Sequence, residues 1–130
     1  MHILLATDAD WVVDEVSAAV GGADTVIAVC RDGRDVAAYV EDRSPDIAVL
    51  DLQSGSMGGV AVAMDLRLDE SSGRIDHVPI LLLLDREADI HLARRSGADG
   101  WLVKPLDPVR LTKAVNDVAK GLSYSEALSG

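Results

Sequence analysis

Short apolar runs alternate with amphipathic segments along most of the chain, and this pattern predicts strands alternating with helices. Five runs are apolar enough for strands of a sheet covered on both faces; they begin near Ile3, Thr25, Ile47, Pro79 and Gly100. Between these runs, apolar residues recur at the three- and four-residue spacing of helices that pack on a sheet. The alternation predicts one α/β domain with a doubly wound, five-stranded parallel sheet and right-handed crossovers.

Local signals indicate where the helices begin and end. Asp10 is predicted to cap the first helix, and Pro108 suits the first turn of the last one. Pro45 closes the second connection, because a residue that precedes proline disfavours the helical region. The periodic pattern ends near position 121, so we expect a domain over residues 1–121 and a short polar tail over 122–130.

The composition is that of a folded, acidic protein. The 130 residues are 48% hydrophobic and 26% charged, with a formal net charge of −10. No stripe of Lys and Arg could neutralise phosphates, which argues against nucleic acid as a partner. No apolar run exceeds five residues, as in Ile80 to Leu84, which is far shorter than the ~20 residues that span a bilayer, so we expect a cytoplasmic protein without a membrane partner. A single cysteine and three scattered histidines argue against disulfide and zinc scaffolds.

Charged residues follow several of the predicted strands. The first strand runs into Asp8 and Asp10, the third ends at Asp51, the fourth runs into Asp85 and the fifth into Lys104. Because the carboxyl ends of parallel strands share one edge of the sheet, where ligands bind, we expect these side chains to converge. Carboxylates in one cleft repel each other and need a cation, either Lys104 or Mg²⁺. The alternative is that the aspartates only cap a helix or face solvent.

Five short segments, spread over most of the chain, stand in the order and spacing of one known family. They are Pro45–Leu52, Gly55–Gly59, Val78–Ile80, Gly97–Pro105 and Leu111. Together they resemble the receiver domain of the response regulators of two-component signalling. The resemblance implies a flavodoxin-like receiver fold with strand order 2-1-3-4-5, and a signalling module rather than an enzyme.

The resemblance assigns roles to the residues at the strand ends. It implies that Asp51 accepts a phosphoryl group from a histidine kinase or a phosphotransfer protein. Mg²⁺ would be bound by Asp8, Asp51 and the main-chain carbonyl of Gln53. Lys104 would contact the phosphoryl oxygens, and its bond to Pro105 would be cis. The metal ion and the ammonium would neutralise charge that builds up on the transferred group.

Several positions depart from the family pattern. Thr7 stands in place of the first acid of a pair, so we expect Mg²⁺ to bind weakly. Leu84 replaces a hydroxyl residue that would bind the phosphoryl group, and Asp85 replaces a small residue. Trp101 occupies the position of an aromatic switch. A complete switch takes ~5.5 kcal/mol and one hydrogen bond to a charged group supplies roughly 1.5–3 kcal/mol, so we predict an atypical receiver with a blunted switch.

The resemblance and the charge pattern together predict an output surface. Arg94, Arg95, Arg110 and Lys113 lie within twenty positions of an otherwise acidic chain, around Trp101. Clustered charges of this kind steer association, so we expect this face to bind a downstream protein partner or a second copy of the chain. We expect a stand-alone receiver that transmits its signal through this contact.

Two other functions stay open at this point. One is a phosphorylation-independent pseudo-receiver that works as an interaction module. The other is a haloacid-dehalogenase-like phosphatase, because Asp8 and Asp10 fit its motif of two aspartates separated by one residue. A flavin-binding domain is disfavoured, since an acidic first loop would repel the phosphate of the cofactor.

Overall fold

Strands and helices alternate along the chain in the computed structural model, which describes residues 1–126. The strands are β1 (His2–Ala6), β2 (Val26–Cys30), β3 (Ile47–Asp51), β4 (Ile80–Leu84) and β5 (Gly100–Val103). The helices are α1 (Asp10–Val20), α2 (Val36–Arg43), α3 (Gly59–Ser71), α4 (Ile90–Ser96) and α5 (Pro108–Ala119). Short 3₁₀ turns at Gly33–Asp35 and Glu87–Asp89 lead into α2 and α4.

The five strands form one parallel sheet in the order β2-β1-β3-β4-β5, which confirms the predicted fold. β3 and β4 are buried along their whole length, as their apolar sequences predict for every residue except Asp51. β2 differs from the prediction of a buried strand beginning at Thr25: it begins at Val26, which is exposed. An edge strand pairs on one side only, so its outer residues keep contact with solvent.

Two apolar layers flank the sheet, because successive side chains of a strand point to opposite faces. Leu50 and Leu82 point into the layer that contains α2, α3 and α4. Val49 and Leu83 point into the layer that contains α1 and α5. Full burial of one such aliphatic side chain contributes ~1.5–3 kcal/mol, so the central strands are firmly held. The loops at their carboxyl ends are thereby fixed in relation to each other.

Two local predictions change in the structure. Ala9, not Asp10, precedes α1; Asp10 lies in the first turn, and its carboxylate binds Arg31 at 2.6 Å. A negative charge is still favourable there, because the helix N-terminus carries partial positive charge. At the other end, residues 122–126 of the predicted tail return to the sheet, where Tyr124 bridges to β5. The rest of that tail, 127–130, lies outside the described residues.

Across residues 1–126, no helix combines the length and the apolar character that crossing a bilayer requires.

Candidate functional site at the carboxyl edge of the sheet

Asp51, the last residue of β3, is fully buried, and both of its carboxylate oxygens accept hydrogen bonds. Oδ1 accepts from Nζ of Lys104 at 2.6 Å and from the main-chain N–H of Gln53 at 3.2 Å. Oδ2 accepts from the hydroxyl of Thr7 at 2.7 Å. A buried charge is costly unless it is paired and hydrogen-bonded, and here it is both. The structure therefore holds Asp51 as a partnered carboxylate.

Lys104 follows β5 directly, and its side chain, 12% exposed, reaches back across the strand ends. Its bond to Pro105 is cis, as the family resemblance implies. The ammonium also donates to Oδ1 of Asp85 at 2.7 Å. Burial by itself would lower the pKa of Lys104, but the hydrogen bonds to Asp51 and Asp85 outweigh it and raise that pKa above its ordinary value. One cation is thus shared between two carboxylates.

Asp85 is held by a second donor. The side-chain amide of Gln53 donates to Oδ2 of Asp85 at 3.0 Å. Burial alone would raise the pKa of Asp85, but the hydrogen bonds from Lys104 and Gln53 bring it below its ordinary value. The family resemblance implies a role only for the main-chain carbonyl of Gln53, so this contact of its side chain is new.

Asp8 lies in the loop after β1, on the exposed rim of the site. Its Oδ2 accepts from the main-chain N–H of Gly55 at 3.0 Å, and its own N–H donates to the carbonyl of Gln53 at 3.1 Å. Asp8, Asp51 and this carbonyl are the hard oxygen donors that Mg²⁺ prefers. Within residues 1–126, no three acidic, His or Cys side chains are grouped so that they could hold a metal ion. The site therefore offers donors of the type that Mg²⁺ prefers, namely two carboxylates and one main-chain carbonyl.

The two predicted switch positions lie in or against the same apolar layer. Leu84 is fully buried in the layer beneath α4, and the half-buried Trp101 packs against that layer. Leu84 brings a hydrocarbon side chain, and no hydroxyl, to the end of β4. The indole N–H of Trp101 donates to the main-chain oxygen of Glu126 at 3.1 Å, a contact that the sequence analysis did not foresee.

The predicted basic surface divides into parts. Arg110 is engaged by Glu126, whereas Lys113 pairs with a carboxylate on its own helix at 2.9 Å. Arg94 and Arg95 are exposed on α4, and Arg95 lines a groove against α3. Arg110 and Trp101 thus both contact Glu126, whereas Arg95 lines the groove between α3 and α4.

Three residues that were not predicted to belong to the site also contact it. Thr7 is one: it donates to Asp51, whereas the sequence indicated only that it replaces an acid. Trp11 is another, because its ring centroid lies 5.4 Å from Nζ of Lys104, within cation–π range. Glu126 is the third, and no local signal in the sequence could have found it. Asp10 binds Arg31 in solvent and does not join Asp8, so the paired aspartates of the phosphatase motif are not assembled.

A parallel 2-1-3-4-5 sheet with a buried, lysine-bound aspartate at its carboxyl edge defines the receiver class of α/β domains. The family model of the response regulator receiver domain matches residues 3–116. This chain belongs to the response regulator receiver domain family, a family of signalling modules of two-component systems.

Curated relatives and solved structures are similar over most of the chain. The nitrate/nitrite response regulator NarL of Escherichia coli K12 is 34% identical over 106 residues, which cover 81% of this chain and 48% of NarL. The DNA-binding response regulator MtrA of Mycobacterium tuberculosis H37Rv is 30% identical over 116 residues, or 88% of this chain and 48% of MtrA. The chain thus spans about half the length of these relatives.

Two solved structures share the fold. The chemotaxis response regulator CheY4 of Vibrio cholerae superposes with a TM-score of 0.77 at 25% identity, over 90% of this chain and 97% of that one. The receiver domain of a histidine kinase from Syntrophus aciditrophicus superposes with a TM-score of 0.79 at 21% identity, over 99% and 97%.

Proposed function

We propose that this receiver domain transmits a signal by protein–protein contact after Asp51 accepts a phosphoryl group from a histidine kinase or a phosphotransfer protein. One observation carries the proposal: the Asp51 carboxylate lies at the end of β3 with the Lys104 ammonium 2.6 Å from Oδ1. A carboxylate can serve as a nucleophile, and a fixed ammonium beside it stabilises charge on the transferred group.

In the proposed step, one oxygen of Asp51 attacks the phosphorus of a phosphohistidine. The new P–O bond forms as the P–N bond breaks, and the electron pair of that bond stays on the imidazole nitrogen. Lys104 binds the phosphoryl oxygens in place of Asp51. Mg²⁺ held by Asp8, Asp51 and the carbonyl of Gln53 would supply further positive charge to the same oxygens. Because Asp51 is fully buried and both of its oxygens accept hydrogen bonds, at least one of the groups bonded to it has to move before the attack.

The direct test is intact-mass measurement after incubation with a small phosphodonor and Mg²⁺. We expect the wild type to gain the mass of one phosphoryl group and Asp51→Asn to gain none. Asp42→Asn is the matched control, because it removes one carboxylate from a side chain that is 78% exposed on α2. An equal gain in Asp51→Asn would contradict the assignment of Asp51.

A second candidate function, phosphorylation-independent binding, is favoured by Asp85. Its carboxylate binds Lys104 and Gln53, so an anion already lies against Lys104 beside Asp51. In this case the wild type would gain no phosphoryl group from the donor. Partner binding would then be unchanged by Asp51→Asn and weakened by Asp85→Ala, the reverse of what the first function predicts.

The output surface is proposed to lie on α4, β5 and α5. Reversing Arg94, Arg95 and Lys113 to glutamate should weaken association with the partner, or self-association measured by sedimentation, while circular dichroism stays unchanged. Isolated exposed ion pairs contribute little to stability, so the fold should tolerate the change. Unchanged association would assign the interface elsewhere, first to the Trp11 side of α1. The stand-alone arrangement and the cytoplasmic location remain predictions.

A further inference from the structure

Residues 122–126, called the strap below, lie along the outer edge of β5. Tyr124 forms a parallel bridge with Gly100. The N–H of Trp101 donates to the carbonyl of Tyr124 at 2.9 Å, and the N–H of Tyr124 donates to the carbonyl of Asp99 at 3.4 Å. An edge strand presents unpaired backbone groups to which a further segment can add. The strap therefore extends the sheet beyond β5.

Glu126 is the main anchor of the strap. Its Oε1 accepts from the N–H of Val103 at 2.8 Å and from Nη2 of Arg110 at 2.5 Å. Its Oε2 accepts from Nε of Arg110 at 2.8 Å, so the ion pair is bidentate. The main-chain oxygen of Glu126 also accepts the indole N–H of Trp101 at 3.1 Å. Bidentate, charge-assisted pairs are strong and directional, which makes this carboxylate the specific feature of the contact.

The rest of the strap contributes little apolar burial. Leu122 is 55% exposed, and Ser123 and Ser125 are exposed. Tyr124 is partly buried and packs against the α1 and α5 layer. A segment with few buried apolar contacts opens at a lower free energy than the core does. The strap can therefore leave β5 while the domain stays folded.

The edge is shaped for the close approach of a backbone. A Cβ atom on Gly100 would lie 2.5 Å from the carbonyl oxygen of Tyr124 and 3.0 Å from a methyl group of Val118. Only a residue without a side chain leaves room for the added segment at this point. Gly100, Arg110 and the indole of Trp101 thus form a binding site for an extended segment that carries a carboxylate side chain at the position of Glu126.

We propose that the β5 edge is a binding site for an extended acidic protein segment whose glutamate pairs with Arg110, and that the strap occupies this site in cis until such a segment displaces it. Displacement would transfer the hydrogen bonds of the main-chain N–H groups of Trp101 and Val103 from the strap to the incoming segment. The inference rests on the proposed function only for the use of this face as an output surface, because docking of the strap is measured without a kinase or a partner.

The first test follows amide exchange by NMR in the full chain. Glu126→Ala removes the anchor, and we expect the N–H groups of Trp101 and Val103 to exchange about tenfold faster or more. Gly100→Ala should give the same result by steric exclusion, without a change of charge. Ser125→Ala and Asp42→Asn are the controls, one within the strap and one for the loss of a negative charge, and both should exchange like the wild type.

The second test adds a synthetic peptide with the sequence of residues 121–126 to the Glu126→Ala protein. A short linker gives a tethered segment a millimolar effective concentration, so the titration extends to that range. We expect the peptide to shift the NMR signals of Trp101 and Val103 and to restore their protection. The peptide with Gln in place of Glu should do so at least about tenfold more weakly, and the wild-type protein should resist the peptide because its own strap competes.

Two outcomes would overturn the proposal. Unchanged exchange in both Glu126→Ala and Gly100→Ala would show that the strap does not protect β5. Faster exchange that the peptide does not reverse would show that the strap is a fixed part of the fold and not an exchangeable ligand. Neither outcome bears on phosphorylation of Asp51, which the mass measurement decides separately.

Discussion

Asp85 and Lys104 are joined by a 2.7 Å hydrogen bond, although Asp85 stands where the family pattern has a small residue. Lys104 also donates to Asp51, so its ammonium is hydrogen-bonded to two carboxylates at the same time. A phosphoryl group on Asp51 would have to compete with Asp85 for the same cation.

Removal of Asp85 should make Lys104 more available to a phosphoryl group. In Asp85→Ala we expect phosphorylation of Asp51 from a small phosphodonor to proceed several-fold faster than in the wild type, because one of two anions on Lys104 is lost. Intact-mass time courses measure this rate. Asp42→Ala, on exposed α2, is the control. A slower reaction in Asp85→Ala would mean that Asp85 positions Lys104 productively.

Introduction of a hydroxyl at position 84 should enlarge the response to phosphorylation. In the Leu84→Thr, Asp85→Ala double variant we expect a larger phosphorylation-dependent change in the fluorescence of Trp101, because the new donor can bind the phosphoryl group. Trp11→Phe in every protein isolates this signal. Loss of a fully buried leucine should lower the free energy of unfolding by about 2 kcal/mol or more, which denaturant titration measures. If the double variant responds no more than Asp85→Ala alone, Leu84 does not limit the switch.

Mg²⁺ binding should be weak and should respond to position 7. The hydroxyl of Thr7 donates to Oδ2 of Asp51, where the family pattern has an acid. We expect Thr7→Asp to strengthen Mg²⁺ binding about tenfold, because affinity for hard cations rises with the charge of the ligands. Amide shifts of Asp8 and Gln53 during Mg²⁺ titration measure it. Thr7→Asn introduces a side chain of the size of aspartate without its charge, and this variant should bind Mg²⁺ no better than the wild type.

The strap should leave β5 at acid pH. Burial alone would raise the pKa of Glu126, but hydrogen bonds from Arg110 and the N–H of Val103 bring it below its ordinary value of 4.5. A lowered pKa means that the docked strap prefers the carboxylate form. The Glu126 carboxylate therefore contributes fully to docking above pH 4.5, and this contribution is lost as the pH falls through the lowered pKa of Glu126.

Several ionisable groups share the surroundings of Glu126. Arg110 keeps its charge throughout acid titration, and the Tyr124 hydroxyl lies 3.4 Å from Oε2 of Glu126. Glu87 and Glu126 line one cavity beside Lys104. Fluorescence of Trp101 in a Trp11→Phe background should report release of the strap on acidification. Glu87→Gln should leave the transition in place, and Glu126→Gln should abolish it. A transition that persists in Glu126→Gln would assign it to another group.

The sequence by itself determined the fold and most of the acceptor site. Unbroken apolar strands such as β4 can be satisfied only inside a sheet covered on both faces, so the pattern was sufficient for the class of fold. Parallel topology then brings strand ends together, which is why Asp51 and Lys104 could be placed at one edge from their positions alone. Asp8 was placed beside them for the same reason.

Only the tertiary structure decided which donor meets which acceptor. That Asp85 takes a share of Lys104, and that Thr7 binds Asp51, depends on side-chain directions in loops, which no periodicity encodes. The docking of Glu126 on Arg110 joins residues sixteen positions apart across a helix end. Residues 122–126 are held by a few backbone and carboxylate hydrogen bonds. Their sequence therefore carries no hydrophobic pattern from which their position on β5 could be predicted. Such contacts exist only once the edge of β5 has formed.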